Sequence, residues 1–472
     1  MRDDKKLLKN AAAIALPMAA ANLLDFGISL SDIYMLGLAD STGTLLSASA
    51  IAIIPHFILT LFIFGMAGGG TVLCSQYYGK RDFQTIRVIF SMLMKFALVI
   101  GVVFTLASVI FTEQIMMLLT SNVAAATEGA KYLRITGISF FFYALYVVVE
   151  MLFRSVEVTK ISVCMSTSAL IICVALNYLL IFGNCGFPKL GIVGAAVSTL
   201  IARAVNGVIL FAFLFFEKKK LCFRPKHMLL FDKKLLPDLA KYGAPVMINE
   251  SLWGIGTAIS AVVMGHMGTE GGDPVAAKAI AQNAQQIAML LCFGTSNASL
   301  VIVGKLIGGN SQGGIQPKIM AEIRHVTKIF MILAIIIGVM SFCIMHFGRG
   351  FIVGLYHLDA TQTTLAENMI SMLGVASFFS SVSAMQIIGI LRGGGDTRYC
   401  LFLEVCTMYF IALPLGFVSG FVFNLNPVAV YGLMRIDELI KSILGMIRLL
   451  GTKWIHNVTR DMSAEHELHI VV

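Results

Sequence analysis

The chain has 472 residues, 58% of them apolar and 13% charged, with a formal net charge of +9. Soluble proteins run to roughly 45–50% apolar and about 25% charged, so a water-soluble chain of this length is excluded. Long apolar runs without strand-like alternation also exclude a β-barrel and leave a polytopic α-helical membrane protein.

The charged opening, MRDDKKLLKN, leads into an apolar stretch too long for a signal-peptide core, which predicts a retained first helix. Windows able to cross about 30 Å of hydrocarbon fall at 14–38, 46–75, 88–111, 132–153, 161–183 and 191–216. Six more fall at 243–267, 279–303, 327–347, 367–391, 399–423 and 428–450. The expected fold is therefore all-α, with twelve transmembrane helices in two six-helix bundles. The expected divisions are an N-lobe at 1–216, a basic linker at 217–242, a C-lobe at 243–450 and a tail at 451–472.

An ionisable group at membrane depth costs at least about 2.5–3.5 kcal/mol, so each one needs a reason. The first span carries Asn22, Asp25, Ser29, Ser31 and Asp32, with Pro17 expected at the helix start. Asp25 and Asp32 are two turns apart and share a face, which suggests a helix lining water or an ion site. Glu150 and Arg154, in the fourth span, stand at pairing distance. Asn177 in the fifth span and Thr199 in the sixth are neutral oxygen donors that, with Asp32, suit a cation or a proton relay; polar residues also join helices. The seventh span places Asn249, Glu250 and Trp253 together, offering an ammonium group both charge and a ring face. Glu404, near Arg398, reads as structural. In the last span Arg435, Asp437, Glu438 and Lys441 can neutralise one another at i,i+3 and i,i+4. Arg203 is the repeat mate of Lys441, and both read as anchors of their half or as partners of carboxylates on neighbouring helices, rather than as cargo ligands.

The second half repeats the first. Pro17 to Gly37 answers Pro245 to Gly265, Phe64-Gly65 with Gly79 answers Phe293-Gly294 with Gly308, and Arg154 with Thr159-Lys160 answers Arg392 with Thr397-Arg398. A duplicated apolar chain with a seam between its halves is the layout of a secondary transporter. Cations crowd alternate loops: Lys5, Lys6 and Lys9, then Lys80 and Arg81, then Arg154 and Lys160, then the run from Lys218-Lys219-Lys220 to Lys234. The other loops are nearly bare, with Asp40, Glu113 and Glu270 among their few charges. This predicts both termini in the cytoplasm, and it assigns the basic excess to topology and lipid head groups rather than nucleic acid.

No phosphate-binding loop is present: Gly68-Gly69-Gly70 and Gly393-Gly394-Gly395 lack the Lys-Ser/Thr that grips phosphate, and they read as tight turns and close helix packing. Pumping would draw on an ion gradient, with no organic cofactor. No catalytic constellation supports an enzyme.

The ordered set Pro17, Asp32 and Gly37; Ser75-Gln76-Tyr77-Tyr78-Gly79; Arg154 to Lys160; Asn177 to Gly183; Gly191 to Thr199; and Leu391-Arg392 to Thr397 resembles the MATE family, the multidrug and toxic compound extrusion transporters, from Leu16 to Trp454. The stretch Pro245 to Trp253 is similar to a bacterial branch of that family. The resemblance implies a monomeric protein of the cytoplasmic (inner) membrane that exports small organic, cationic compounds in exchange for protons or sodium by alternating access. It implies cation coupling through Asp32 with Asn177 and Thr199, sodium at Asp32 and Asn177 being one option, and cargo contacts from Glu250, Asn249, Trp253 and Asp25. Cys173 stands where related members often carry asparagine, which weakens the sodium case. A flippase for a lipid-linked precursor, of the same superfamily, is the alternative; the acids Asp32 and Glu250 argue against its basic groove.

Overall fold

The computed structural model describes residues 4–40, 44–216, 221–268, 272–310, 316–356 and 358–460. Lys218-Lys219-Lys220, Glu270 and the tail beyond Arg460 lie outside the described residues. No strand occurs among the described residues. A backbone in hydrocarbon must satisfy its own polar groups, and these apolar runs do so as helices.

Among the described residues, eleven helices are long and apolar enough to cross a membrane. They are α1 (Asp4–Ala39), α2 (Thr44–Lys80), α3 (Phe83–Ile110), α4 (Val123–Ser155), α5 (Lys160–Leu180), α6 (Ile192–Phe216), α7 (Leu236–Gly265), α8 (Leu290–Gly308), α9 (Pro317–Gly354), α10 (Ala360–Leu391) and α11 (Thr397–Val422). A helix at Pro274–Ala288 leads into α8 through Met289. Asp273 caps that helix, its carboxylate accepting from the amides of Val275 at 2.8 Å and Ala276 at 3.3 Å.

The twelfth segment, α12, is broken into Pro427–Met434 and Ile436–Leu450. The break falls at Arg435, and four further charges (Asp437, Glu438, Lys441 and Arg448) follow it. This segment crosses only by pairing its charges inside protein. Pro17 is a correction of detail: α1 begins at Asp4, so Pro17 is interior to the helix and removes one ladder donor there, a defect membrane helices tolerate.

The chain forms two compact units, one of residues 20–74 and 83–243, the other of 1–19, 75–82 and 244–472. In the 20–243 unit α4 packs along α3 and α6, and α6 along α5. In the 244–472 unit α10 packs along α9, and Met264, Ala281, Met345, Met369, Leu373 and Tyr431 belong to its core. The repeat shows in the small residues. Gly101 and Gly137 bring α3 and α4 together, and Gly338 and Gly374 do the same for α9 and α10 at one common offset. The repeat mates Gly79 and Gly308 meet each other's helices. A Cβ on Gly79 would lie 2.1 Å from the Lys305 carbonyl, and one on Gly308 1.9 Å from the Gln76 carbonyl.

Two segments outside the spans are strapped down. Residues 221–231 lie on α3, where Arg87 Nε donates to the Leu221 carbonyl at 2.7 Å and Lys95 Nζ to the Leu230 carbonyl at 2.8 Å. In the segment after α12, Trp454 is buried and its ring lies on Gly394. Gln76 Nε2 donates to the carbonyls of Gly393 at 3.1 Å and His456 at 3.0 Å, and Gln76 Oε1 accepts from the Val458 amide at 2.9 Å. Both glycine clusters match the packing expectation. Gly395 turns the chain at φ +82°, and a Cβ on Gly69 would strike Gly243 Cα at 2.2 Å.

Candidate ion and cargo site

Within the 20–243 unit, five helices enclose a cavity of about 200 Å³. α1 contributes Asp25, Ile28, Ser29 and Asp32, a one-face stripe with 3.6-residue spacing. α4 contributes Tyr132, Thr136, Phe140, Tyr143 and Tyr146 by the same periodicity. α2 adds His56, α5 adds Ala169 and Cys173, and α6 adds Thr199, Ala202, Arg203 and Asn206.

Asn177 Nδ2 donates to Asp32 Oδ1 at 2.5 Å. Asn177 is fully buried, and its Oδ1 has no partner among the described residues. That orphaned oxygen beside a carboxylate is a donor set that suits a bare monovalent cation; a proton needs only the carboxylate itself. Thr199 faces the Tyr132 hydroxyl on the same wall. Asp25 opens onto the cavity, with the Ser166 hydroxyl beside it. Asp32, Asn177 and Thr199 thus come together, and Asp25 joins them rather than the seventh-span group.

Opposite in sign, Arg203 Nη1 donates to Ser139 Oγ at 2.8 Å, and its guanidinium lies 5.1 Å from the Tyr143 ring centre. The His56 ring meets Tyr143 edge-on at 4.4 Å. Among the described residues no three acidic, histidine or cysteine side chains form a metal cluster. His56 and the tyrosines of α4 were not singled out from the sequence. The signal available was the recurrence of hydroxyl-bearing rings at Tyr132, Tyr143 and Tyr146 along one helix face.

Glu250, Asn249 and Trp253 lie in the 244–472 unit. Glu250 Oε1 accepts from Arg392 Nη2 at 2.8 Å, so its charge is already matched by a buried guanidinium. Asn249 is buried, its Oδ1 without a partner among the described residues, and Trp253 is exposed. In the same unit Lys441 Nζ lies 2.7 Å from Glu404 Oε1, 2.7 Å from Asp437 Oδ2 and 3.6 Å from Glu438 Oε1. Ser383 Oγ donates to Glu438 Oε2 at 2.5 Å, and Arg435 stands 3.5 Å from Glu438. The local pairs foreseen in α12 form, as does Arg154 with Glu150 at 2.5 Å. Glu404 reaches Lys441 rather than Arg398, because the two approach across helices. Lys441 is an anchor as expected. Its repeat mate Arg203 instead joins α6 to α4 through Ser139, with no carboxylate within 4.0 Å of it among the described residues.

The MatE family model matches residues 17–179 and 245–418. The chain belongs to the MATE family. This MATE chain is 25% identical to the multidrug export protein MepA of Staphylococcus haemolyticus over 449 residues, covering 94% of this chain and 93% of that one. It is 23% identical to the probable multidrug resistance protein YoeA of Bacillus subtilis, over 80% of this chain and 81% of the relative. Among solved structures, the eukaryotic MATE transporter AtDTX14 superposes with a TM-score of 0.82 at 18% identity, over 96% of this chain and 97% of that one. A MOP superfamily transporter from Pyrococcus furiosus, described as having a binding pocket of reverse polarity that suggests a different function, gives 0.82 at 16% identity, over 94% and 96%. The fold is therefore the twelve-helix MATE fold, and the protein is a polytopic membrane transporter rather than an enzyme.

Proposed function

We propose that this MATE transporter is a multidrug exporter of the cytoplasmic membrane, driven by an inward gradient of protons or sodium and acting on organic cations by alternating access. The observation that carries the reading is the pairing of Asp32 with Asn177 in the wall of a cavity that also holds Asp25 and aromatic faces. Carboxylates and rings together suit an aromatic ammonium compound. With Asp32 ionised the cavity retains cationic cargo. A proton or sodium ion arriving at Asp32 cancels that charge and weakens the hold. The ion moves the transport equilibrium only as far as it binds one state better than the other.

We further propose the lobe division 1–216 and 243–450 about the linker 217–242, a monomer surrounded by lipid, and both termini in the cytoplasm. Relatives named as multidrug export and resistance proteins support export as the direction. The arginine bound to Glu250 favours Asp25 and Asp32 over Glu250 for the cargo-binding role. The test is Asp32→Asn in proteoliposomes with an imposed pH or sodium gradient. The variant is expected to insert and fold but to lose gradient-driven dye export; normal export would remove Asp32 from the mechanism.

A further inference from the structure

Arg87, Ser91 and Lys95 recur every four residues along one face of α3, and all three spend donors on main-chain oxygen of the segment strapped there. Arg87 takes the Leu221 carbonyl, the Ser91 hydroxyl donates to Leu230 at 2.7 Å, and Lys95 Nζ donates to Leu229 at 3.0 Å and Leu230 at 2.8 Å. At about 1.5 Å per residue this row carries the segment about 12 Å along the helix, and Lys95 stands about 18 Å from Phe83, inside the apolar stretch that begins at 88. A loop in water needs no such help, because water satisfies its carbonyls; a loop sunk into a membrane does. The side chains divide in the same sense. Leu221, Phe223 and Leu235 are buried, whereas Leu229 is 82% exposed, Phe231 is 50% exposed and Met228 is exposed beside them. Arg224, Lys226 and Lys233 are exposed too, and among the described residues none has a carboxylate within 4.0 Å. Asp232, the acid between them, accepts from the Lys234 amide at 2.8 Å. Burial, and then Arg87, Lys226 and Arg224, hold the His227 imidazole below its usual pKa, so these cations act on one place.

We propose that residues 224–231 form a foot seated in the adjoining leaflet, with Met228, Leu229 and Phe231 among the upper acyl chains and Arg224 and Lys226 on the phosphate of an anionic phospholipid. The leaflet is the cytoplasmic one in the orientation given above, and the site is independent of what the cargo is. A soluble anion would match the cations and leave Leu229 and Phe231 in water. An uncharged lipid would cover those side chains and leave the cations unmatched. An anionic phospholipid presents both chemistries in one molecule.

The test uses the full chain in phosphatidylcholine nanodiscs, with Leu229→Trp as the reporter and the wild-type emission of Trp253 and Trp454 subtracted. Phosphatidylcholine brominated in its acyl chains quenches only a ring that touches them. The added emission is expected to be quenched by the brominated lipid and to resist aqueous iodide; the opposite pattern overturns the proposal. Bromine carried instead on a minor fraction of phosphatidylglycerol, or on an equal fraction of phosphatidylcholine, then reads which lipid sits at the site. One basic residue near an anionic surface is worth about fivefold. Phosphatidylglycerol is therefore expected to quench as if enriched at least about fivefold, and Arg224→Gln with Lys226→Gln to abolish the preference. Both side chains are exposed, so the pair of changes leaves the packing of the segment intact. Lys6→Gln with Lys9→Gln, exposed cations at the start of α1, is expected to leave the preference unchanged. No preference in the otherwise wild-type chain overturns the site, as does an equal fall in both pairs of variants, which would show diffuse charge. So does loss of the preference to inorganic phosphate but not to chloride at the same ionic strength, since the cations would then hold a soluble anion.

Discussion

Replacing Lys441 with methionine should be among the most damaging single changes in the 244–472 unit. Its ammonium makes two ion contacts at 2.7 Å and a third at 3.6 Å, all with buried carboxylates. At an effective dielectric of about 20, one contact at that range is worth about 6 kcal/mol before desolvation. Desolvation takes back several kcal/mol per ion, and breaking a buried pair by removing one partner leaves a net loss of about 3–5 kcal/mol. Two full contacts point to the upper end. For a unit of this size about 2 °C is lost per kcal/mol, so the melting midpoint should fall by about 6–10 °C. Heating detergent-purified protein and following the folded peak by size exclusion measures this. The triple change Lys441→Met, Glu404→Gln, Asp437→Asn removes the charges together, leaves Arg435 to match Glu438, and should recover most of the midpoint. If Lys441→Met melts within about 2 °C of wild type, or the triple change melts no higher than the single one, the charge argument is refuted.

Gly308→Ala should cost about 1–3 kcal/mol through forced separation of α2 and α8, since the new methyl would sit 1.9 Å from the Gln76 carbonyl; a midpoint equal to wild type in the same assay would contradict that crossing. Glu250→Gln should destabilise by about 3 kcal/mol because Arg392 is left buried and unmatched. Pairing it with Arg392→Gln should restore much of the loss, whereas an unchanged melt with weakened dye binding would make Glu250 a cargo ligand after all.

The membrane class and nearly all the spans were legible because hydrocarbon imposes a length and an apolarity on each one separately. The charge pairs of α12 and the Glu150–Arg154 pair were legible for a similar reason: three- and four-residue spacing fixes neighbours within a helix. Contacts between helices were not. Nothing in the order of residues says that Glu250 meets Arg392 or that Glu404 meets Lys441, because those distances depend on helix rotation and depth. The same blindness made Arg203 and Lys441 look equivalent by repeat position when, among the described residues, only Lys441 has carboxylate partners. Repeat arithmetic found Gly79 and Gly308 but passed over Gly101, Gly137, Gly338 and Gly374, whose single-glycine matches carry little information until the close crossings are seen.

Gln76 grips the segment after α12 almost entirely through main-chain atoms, while Trp454 supplies the one bulky plug. A clasp of that kind tolerates wide sequence drift from His456 to Val458 but not shortening. Reporter fusions and affinity handles should therefore leave the chain beyond Arg460. Trimming back to Leu450 would strip the cover from Gly394 and leave the Gln76 side chain holding Gly393 without its partners at His456 and Val458, damaging the molecule at a place that a hydropathy plot marks as disposable.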